Sequence, residues 1–135
     1  MERDSKLEIS LLAIRLAIAA FLLVWVADKF VNPKHSQAVL GSFYAMKDVS
    51  PQIVLSLGIA QLLLVLAFAV GWQRLWTYGA VLAMHGVTTA VSLWKIIPPF
   101  GPSANILFWA GVPVLAAMFA LFMLRDRDRL FSIGR

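Results

Sequence analysis

The stretch from Ile9 to Phe30 constrains this chain more than any other, because it is long and apolar and holds one charged residue before Asp28 and Lys29 near its end. About 22 residues of α-helix rise roughly 33 Å, enough to cross a ~30 Å hydrocarbon core. The interior charge is Arg15, and a guanidinium in hydrocarbon costs several kcal/mol unless it reaches the headgroups or finds a partner. The stretch therefore predicts a membrane-spanning helix with one polar residue that needs an explanation.

The composition also indicates an integral membrane protein. Of the 135 residues, 61% are hydrophobic and only 14% are charged, which lies outside the range usual for soluble domains. The net charge of +5 comes from residues that lie between the apolar runs, so the chain lacks the continuous basic stripe that binds phosphates, and we exclude nucleic acid as a partner. Cysteine is absent, which excludes disulfides, thiol redox relays and iron–sulfur ligation.

Three more apolar runs follow the first. The second begins at Pro51, a favourable residue at a helix start, and ends near Gly71. A tight turn over 72–75 leads to the third run, and a proline-rich break over 98–102 precedes the fourth, in which Pro113 predicts a kink near the middle. We therefore predict an all-α fold: an integral membrane four-helix bundle forming a single domain over residues 1–135, with spans at about 9–30, 51–71, 76–94 and 104–124.

The connection over residues 31–50 carries its own pattern. It starts with Asn32 and Pro33, and apolar residues recur at near-helical spacing between Ser36 and Lys47. This spacing predicts a short amphipathic helix in the membrane interface between the first two spans. The alternative is an ordinary structured loop whose aromatic side chains cover the end of the bundle.

The distribution of Lys and Arg predicts the orientation. With the N-terminus inside, seven basic residues fall on the inner flanks and four on the outer flanks, which favours cytoplasmic N- and C-termini in the inner cell membrane. The polar tail over residues 1–8 receives no function, and the tail from Arg125, where Arg and Asp alternate, is interpreted as a stop-transfer anchor. The inner residues are Arg3, Lys6, Arg74, Arg125, Arg127, Arg129 and Arg135; the outer ones are Lys29, Lys34, Lys47 and Lys95.

Polar residues inside the spans are the strongest functional pointers. Gln61 and His85 should both lie near the midplane of antiparallel neighbouring spans, where they could bond to each other as interhelical contacts or together hold a carbonyl or hydroxyl ligand. Arg15 could extend to the inner headgroups, or it could meet Gln61, helix-end carbonyls, lipid phosphate or an acidic or carbonyl-bearing ligand. Both questions stay open at this stage.

A second polar group is predicted at the outer face. Asp28, Lys29, Lys95 and Asn105 come from the ends of three spans. An ion pair between Asp28 and Lys95 would hold the first span against the third, and we favour this structural role over a binding site.

The same inventory limits the chemistry available. Haem with two histidine ligands needs two imidazoles at one iron, and His85 is the sole intramembrane histidine. We find no metal-ligand set, no catalytic triad and no phosphate-binding glycine loop. We therefore assign no metal, no covalently bound cofactor and no catalytic residues, and whether the chain is an enzyme stays open.

The chain resembles the DoxX family of small four-span membrane proteins over nearly all of its length. Arg15 and Lys29 are the most telling points of this likeness. Gln61 departs from it, because many relatives carry glutamate there, which puts a proton-handling role in doubt. The matching motifs are Ala13-Ile14-Arg15-Leu16, Ala27-Asp28-Lys29-Phe30, Gly58-Ile59-Ala60-Gln61-Leu62 through to Gly71, and Asn105-Ile106-Leu107-Phe108-Trp109.

The resemblance implies an accessory subunit of a quinone-linked redox or sulfur-oxidation system, or a redox-homeostasis factor, with a redox membrane or peripheral protein as partner. It suggests a quinone site in which the quinone head accepts hydrogen bonds from Arg15, Gln61 and His85 and stacks on the ring of Trp109. The alternatives are a small-molecule or lipid transporter, acting as a homo-oligomer, and a non-catalytic scaffold or assembly factor in which these residues serve packing alone.

Overall fold

The computed structural model describes residues 4–134, and the regular structure in that range is entirely helical. The predicted all-α class is therefore confirmed. Arg3 and Arg135, which were counted for the orientation, lie outside the described residues. The elements are α1 (Ser5–Val31), α2 (Pro33–Phe43), α3 (Pro51–Ala69), α4 (Arg74–Val91), α5 (Leu93–Ile96), a 3-10 helix (Ile106–Ala110) and α6 (Gly111–Met123).

The helix starts follow from local capping chemistry. The Asp4 carboxylate accepts a hydrogen bond from the Leu7 amide at 3.2 Å, so α1 begins four residues before the predicted start at Ile9 and includes the second half of the expected polar tail. Ser50 caps α3 in the same way, with Pro51 in the first turn, as an N-terminal proline favours. The short polar side chains at these ends satisfy amides that have no partner within the helix.

Four helices surround one apolar core. α1 packs against α3 and α6, and α4 packs against the same two helices. The buried side chains of α1 recur at spacings of three, four or seven residues, as expected for one face of a helix. Across the four helices the core consists of Leu11, Ile18, Ala19, Leu22, Val26, Val65, Phe68, Tyr78, Val81, Met118 and Leu121.

Three stretches of helix are long and apolar enough to cross a membrane: Ser5–Val31, Pro51–Ala69 and Ile106–Met123. These helices also turn large apolar side chains outward, for example Val24 at 69% exposure, Leu63 at 64% and Phe119 at 56%. Such extensive apolar exposure is unusual for a soluble monomer. α4 occupies the position of the third predicted span, but it is less apolar than the other three helices and is not among the stretches apolar enough to cross a membrane.

The irregular part of the fourth predicted span lies before Pro113, not at it. The chain runs as a 3-10 helix over Ile106–Ala110 and becomes α-helical from Gly111. Proline lacks the amide that would bond to the carbonyl four residues earlier, and its ring crowds that carbonyl. Pro113 thus falls in the first turn of α6, where these restrictions cost least.

The connection between the first two predicted spans contains a helix, as the pattern predicted. α2 follows α1 after Asn32 and packs against α1 and α3. At its end, the ring of Phe43 lies 5.5 Å from that of Trp94 and 5.6 Å from that of Phe108. The aromatic cover that the loop alternative expected is therefore present as well, at the end of α2.

Candidate functional site

Arg15 is fully buried and bonds to the C-terminal segment, which we define as residues 125–134. Its exposure is 0%, so the alternative in which it extends to the headgroups is wrong for this structure. One terminal nitrogen, Nη2, donates to the carbonyl oxygens of Leu130 at 2.6 Å and Phe131 at 3.3 Å. The partner therefore comes from a part of the chain that follows the last helix.

The carboxylate that neutralises Arg15 is Asp128, which is also 0% exposed. Nη1 of Arg15 lies 3.0 Å from Oδ2 of Asp128. Tyr78 on α4 completes a triangle, because its hydroxyl donates to the same carboxylate oxygen at 2.7 Å and accepts from Nη1 of Arg15 at 3.2 Å. A buried ion pair needs such additional hydrogen bonds to offset the loss of hydration.

A second arginine holds the same segment from the other side. Nη1 of Arg74 donates to the main-chain carbonyl of Asp128 at 2.6 Å and to the hydroxyl of Ser132 at 3.0 Å. Farther along, the amide of Ile133 donates to the carbonyl of Val70 at 3.0 Å. The C-terminal segment is therefore fixed to the turn between α3 and α4 at several points.

Gly71 is required where the segment meets this turn. Its φ is +66°, and a Cβ added there would lie 2.7 Å from Oγ of Ser132 and 2.9 Å from Nη1 of Arg15. Both the backbone conformation and the close contact favour glycine. The carbonyl of Gly71 in turn accepts a hydrogen bond from Ser132 at 3.2 Å.

Replacing Gly71 by alanine should lower the free energy of unfolding by about 1–3 kcal/mol, because the methyl group combines positive-φ strain with a clash at the ion pair. Gly86→Ala is the matched control, since its added Cβ would meet nothing nearer than Leu115 at 4.0 Å and would favour the helix. Thermal unfolding in detergent measures the stability of both variants. Equal losses in the two variants would contradict this account.

Replacing Tyr78 by phenylalanine should cost about 1–3 kcal/mol, because the variant keeps the ring contact with Phe68, 4.9 Å between centroids, and loses the hydroxyl between Arg15 and Asp128. Tyr44→Phe is the control and should cost less, since the hydroxyl it removes bonds to the uncharged side chain of Thr88, at 2.7 Å. The measurement is again detergent unfolding. A Tyr78→Phe variant as stable as the parent would contradict the role given to the hydroxyl.

Three polar atoms of this cluster have no hydrogen-bond partner within residues 4–134: Nε of Arg15, Nε of Arg74 and Oδ1 of Asp128. Buried groups without partners are uncommon in folded proteins and indicate an unseen partner or strain. Two buried N–H donors and one buried carboxylate acceptor of this cluster are thus available to a further hydrogen-bond partner. Within the described residues, no group of three His, Cys, Asp or Glu side chains could hold a metal ion.

The predicted ligand-binding residues have separate partners. Gln61 contacts the sulfur of Met84 at 3.5 Å, and Nε2 of His85 donates to the carbonyl of Gly111 at 2.9 Å. Nε1 of Trp109 donates to the carbonyl of Ile96 at 3.1 Å. The structure therefore contains neither the direct Gln61–His85 bond nor a contact of Arg15 with Gln61.

The predicted ion pair between Asp28 and Lys95 is also absent. Asp28 instead meets Nδ1 of His35 at 2.7 Å and accepts from the hydroxyl of Ser36 at 2.9 Å. α2 starts directly after α1, so these two side chains reach the carboxylate before any distant residue can. The Lys95 ammonium lies 4.3 Å from the centre of the Trp94 ring, a cation–π contact.

The other two members of the outer-face group have local roles. The Lys29 ammonium donates to the carbonyl of Trp25 at 3.3 Å. The Asn105 side chain caps the 3-10 helix by accepting from the Leu107 amide at 3.0 Å, and its own amide donates to the Lys95 carbonyl at 2.9 Å. The four residues therefore do not form one cluster.

Replacing His85 by leucine should cost only about 0.6–2 kcal/mol, because the side chain provides a single bond between α4 and the start of α6. His85→Gln, which keeps a donor, should retain most of that stability. Unfolding curves in detergent distinguish the two variants. A loss above about 3 kcal/mol for His85→Leu would show that the imidazole does more than join two helices.

Sequence reasoning missed Tyr78, Arg74 and Asp128. Arg74 and Asp128 stand outside the predicted spans, where charged residues are common and attract no attention. A signal did exist, because the other three predicted spans contain no acid that could pair with Arg15, and a buried arginine needs an anion from elsewhere. Asp126 and Asp128 in the alternating tail were among the acids on the same predicted side, together with those of the N-terminal polar tail.

Comparison of the chain with protein-family models, with curated proteins and with solved structures found no match. The resemblance to the DoxX family therefore stays a prediction from the motifs quoted above.

Proposed function

We propose that this chain is an integral protein of the inner cell membrane, a four-helix bundle with both termini in the cytoplasm. We further propose that it serves as a DoxX-like, non-catalytic accessory subunit of a quinone-connected redox system. Three apolar helices of membrane-spanning length support insertion. The motifs around Arg15, Lys29 and Gln61 support the family assignment.

The observation that carries the accessory role is how the buried polar groups are used. Arg15, Tyr78 and Asp128 bond to one another, and His85 bonds to the backbone of α6. A protein whose buried polar side chains bond to one another has few groups left to transfer protons or electrons. This favours a subunit that supports a redox partner over an enzyme that acts alone.

Within this proposal, we place the quinone contact at Gln61. Its amide makes one side-chain hydrogen bond among residues 4–134, to the sulfur of Met84 at 3.5 Å, and a thioether is a weak acceptor. The amide therefore keeps a donor for a quinone carbonyl. Arg15 and Trp109, which the sequence also suggested, have other partners: Arg15 pairs with Asp128, and Trp109 donates to the carbonyl of Ile96.

The test is purification of the full chain from native membranes in a mild detergent. We expect a quinone in the organic extract and a redox protein that copurifies, and we expect Gln61→Leu to lose the quinone while retaining its fold. Gln52→Leu, at an exposed position of the same helix, is the matched control and should keep it. Recovery of neither quinone nor redox partner, with quinone-linked respiration unchanged after deletion, would contradict the proposal.

That outcome would favour the scaffold alternative, in which the same internal bonding serves assembly alone. The mass of the purified particle tests the predicted homo-oligomer separately. Uptake of small molecules by vesicles that contain the reconstituted protein tests the transporter alternative. None of the described contacts supports that alternative.

A further inference from the structure

The C-terminal segment is held to the helices by polar contacts and very little by apolar packing. Among residues 125–134, Phe131 is 83% exposed and Ile133 is 72% exposed. The contacts that fix the segment are instead hydrogen bonds and one ion pair to Arg15, Arg74 and the turn at Val70. A segment bound in this way can be replaced by any group that offers the same acceptors.

Those acceptors are all oxygens. Arg15 receives a carboxylate oxygen of Asp128 and the carbonyl oxygens of Leu130 and Phe131. Arg74 receives the main-chain oxygen of Asp128 and the hydroxyl of Ser132. Arginines bind phosphate in the same way, because several oxygens of the phosphate accept hydrogen bonds from the guanidinium groups.

The match between the segment and the two arginines is also incomplete. Arg15 is 0% exposed and Arg74 is 9% exposed. The Nε atom of each finds no acceptor in the described chain. Oδ1 of Asp128 is likewise without a donor there. The single carboxylate leaves the group of two arginines and one aspartate with a net positive charge.

We propose that Arg15 and Arg74 form a binding site for a phosphate group, which the chain's own Asp128 and the carbonyls of residues 130 and 131 occupy in this structure. The C-terminal segment is then a displaceable plug. A phosphate would supply enough oxygens for the terminal nitrogens and for the two unpaired Nε groups. The source is the headgroup of an anionic lipid or a free phosphate, and the experiment separates the two. This site is independent of the proposed quinone contact.

The test measures binding to the full chain in detergent by native mass spectrometry. The probes are phosphatidic acid, phosphatidylcholine and inorganic phosphate. We expect Asp128→Asn to bind phosphatidic acid at least about tenfold more tightly than the parent, because a weaker plug raises the fraction of open sites. Binding of phosphatidic acid alone identifies a lipid headgroup, and binding of inorganic phosphate as well identifies a site for phosphate in general.

Two sets of variants separate this site from general attraction to basic residues. Adding Arg74→Gln to Asp128→Asn should abolish the gain. Asp126→Asn makes the same charge change at an exposed position and should bind as the parent does. If the gain persists without Arg74, or if Asp126→Asn reproduces it, the ligand lies on the surface arginines and the proposal is wrong.

A second measurement uses the unmodified chain, in case Asp128→Asn does not fold. The amide of Ile133 donates to the carbonyl of Val70, so hydrogen exchange in residues 129–134 reports whether the segment is attached. Phosphatidic acid or inorganic phosphate should speed this exchange about tenfold or more, and phosphatidylcholine should not. Unchanged exchange with every probe would overturn the proposal and leave a trapped water as the partner of the unpaired atoms.

Discussion

Replacing Asp128 by asparagine is expected to lower the free energy of unfolding by about 3–5 kcal/mol, a large part of the 5–15 kcal/mol typical of a folded domain. The variant has nearly the same shape, but it leaves the buried guanidinium of Arg15 without a counter-charge. A buried charge without its partner keeps the full cost of lost hydration. Chemical or thermal unfolding in detergent provides the measurement.

Asp126→Asn is the matched control for this prediction. It removes the same charge two positions earlier, at an exposed carboxylate, where surface charges contribute little. Its effect should stay within about 0.5 kcal/mol. If both variants lose the same stability, the effect comes from overall charge and the buried pair has no special role.

The second large effect concerns Arg15. Arg15→Met should also cost about 3–5 kcal/mol, because Asp128 becomes a buried carboxylate with only the Tyr78 hydroxyl as donor. The double variant Arg15→Met/Asp128→Asn removes both charges. The double variant should therefore lose less unfolding free energy than the two single variants together. The difference should be about 1–3 kcal/mol, the coupling expected of residues in direct contact.

Arg74 provides the control for this double-mutant cycle. It bonds to the main-chain oxygen of Asp128 and not to its carboxylate, so Arg74→Met and Asp128→Asn should be coupled less strongly than the Arg15 pair. Each cycle needs the unfolding free energies of the parent, the two single variants and the double variant. The coupling energies of the two cycles are then compared. Additivity at Arg15, or equal coupling at both arginines, would contradict the assignment of Asp128 as the partner of Arg15.

The sequence predicted the helices well because their cause is local. Apolar runs between proline and glycine signals gave helices near 51–71 and 76–94, and the structure places α3 and α4 at those positions. A cap accounts for the difference at the first helix: Asp4 extends α1 backwards, beyond the expected start at Ile9. Local sequence patterns predict such elements, because the start and stop signals of a helix lie in neighbouring residues.

The site could not be predicted to the same extent, because its contacts join distant parts of the chain. The need of Arg15 for a partner was evident, but nothing local connects it to Asp128 or to Tyr78. Two polar residues at similar depth, Gln61 and His85, seemed suited to each other, and the structure instead gives each a nearer partner. Depth along a helix is readable from sequence, whereas the direction in which each helix faces depends on the packing of all four.

The attachment of Arg15 to the end of the chain has a consequence for biosynthesis. The carbonyl of Leu130, which Arg15 binds, follows it by 115 positions, and at ordinary translation speeds the ribosome needs on the order of ten seconds to make that length. During that interval the first helix is already made, but Asp128, which pairs with its arginine, is not. Water, headgroups or an insertion factor must accommodate the charge until the last stretch emerges, and messages truncated before Asp128 should yield nascent chains that quality-control proteases remove.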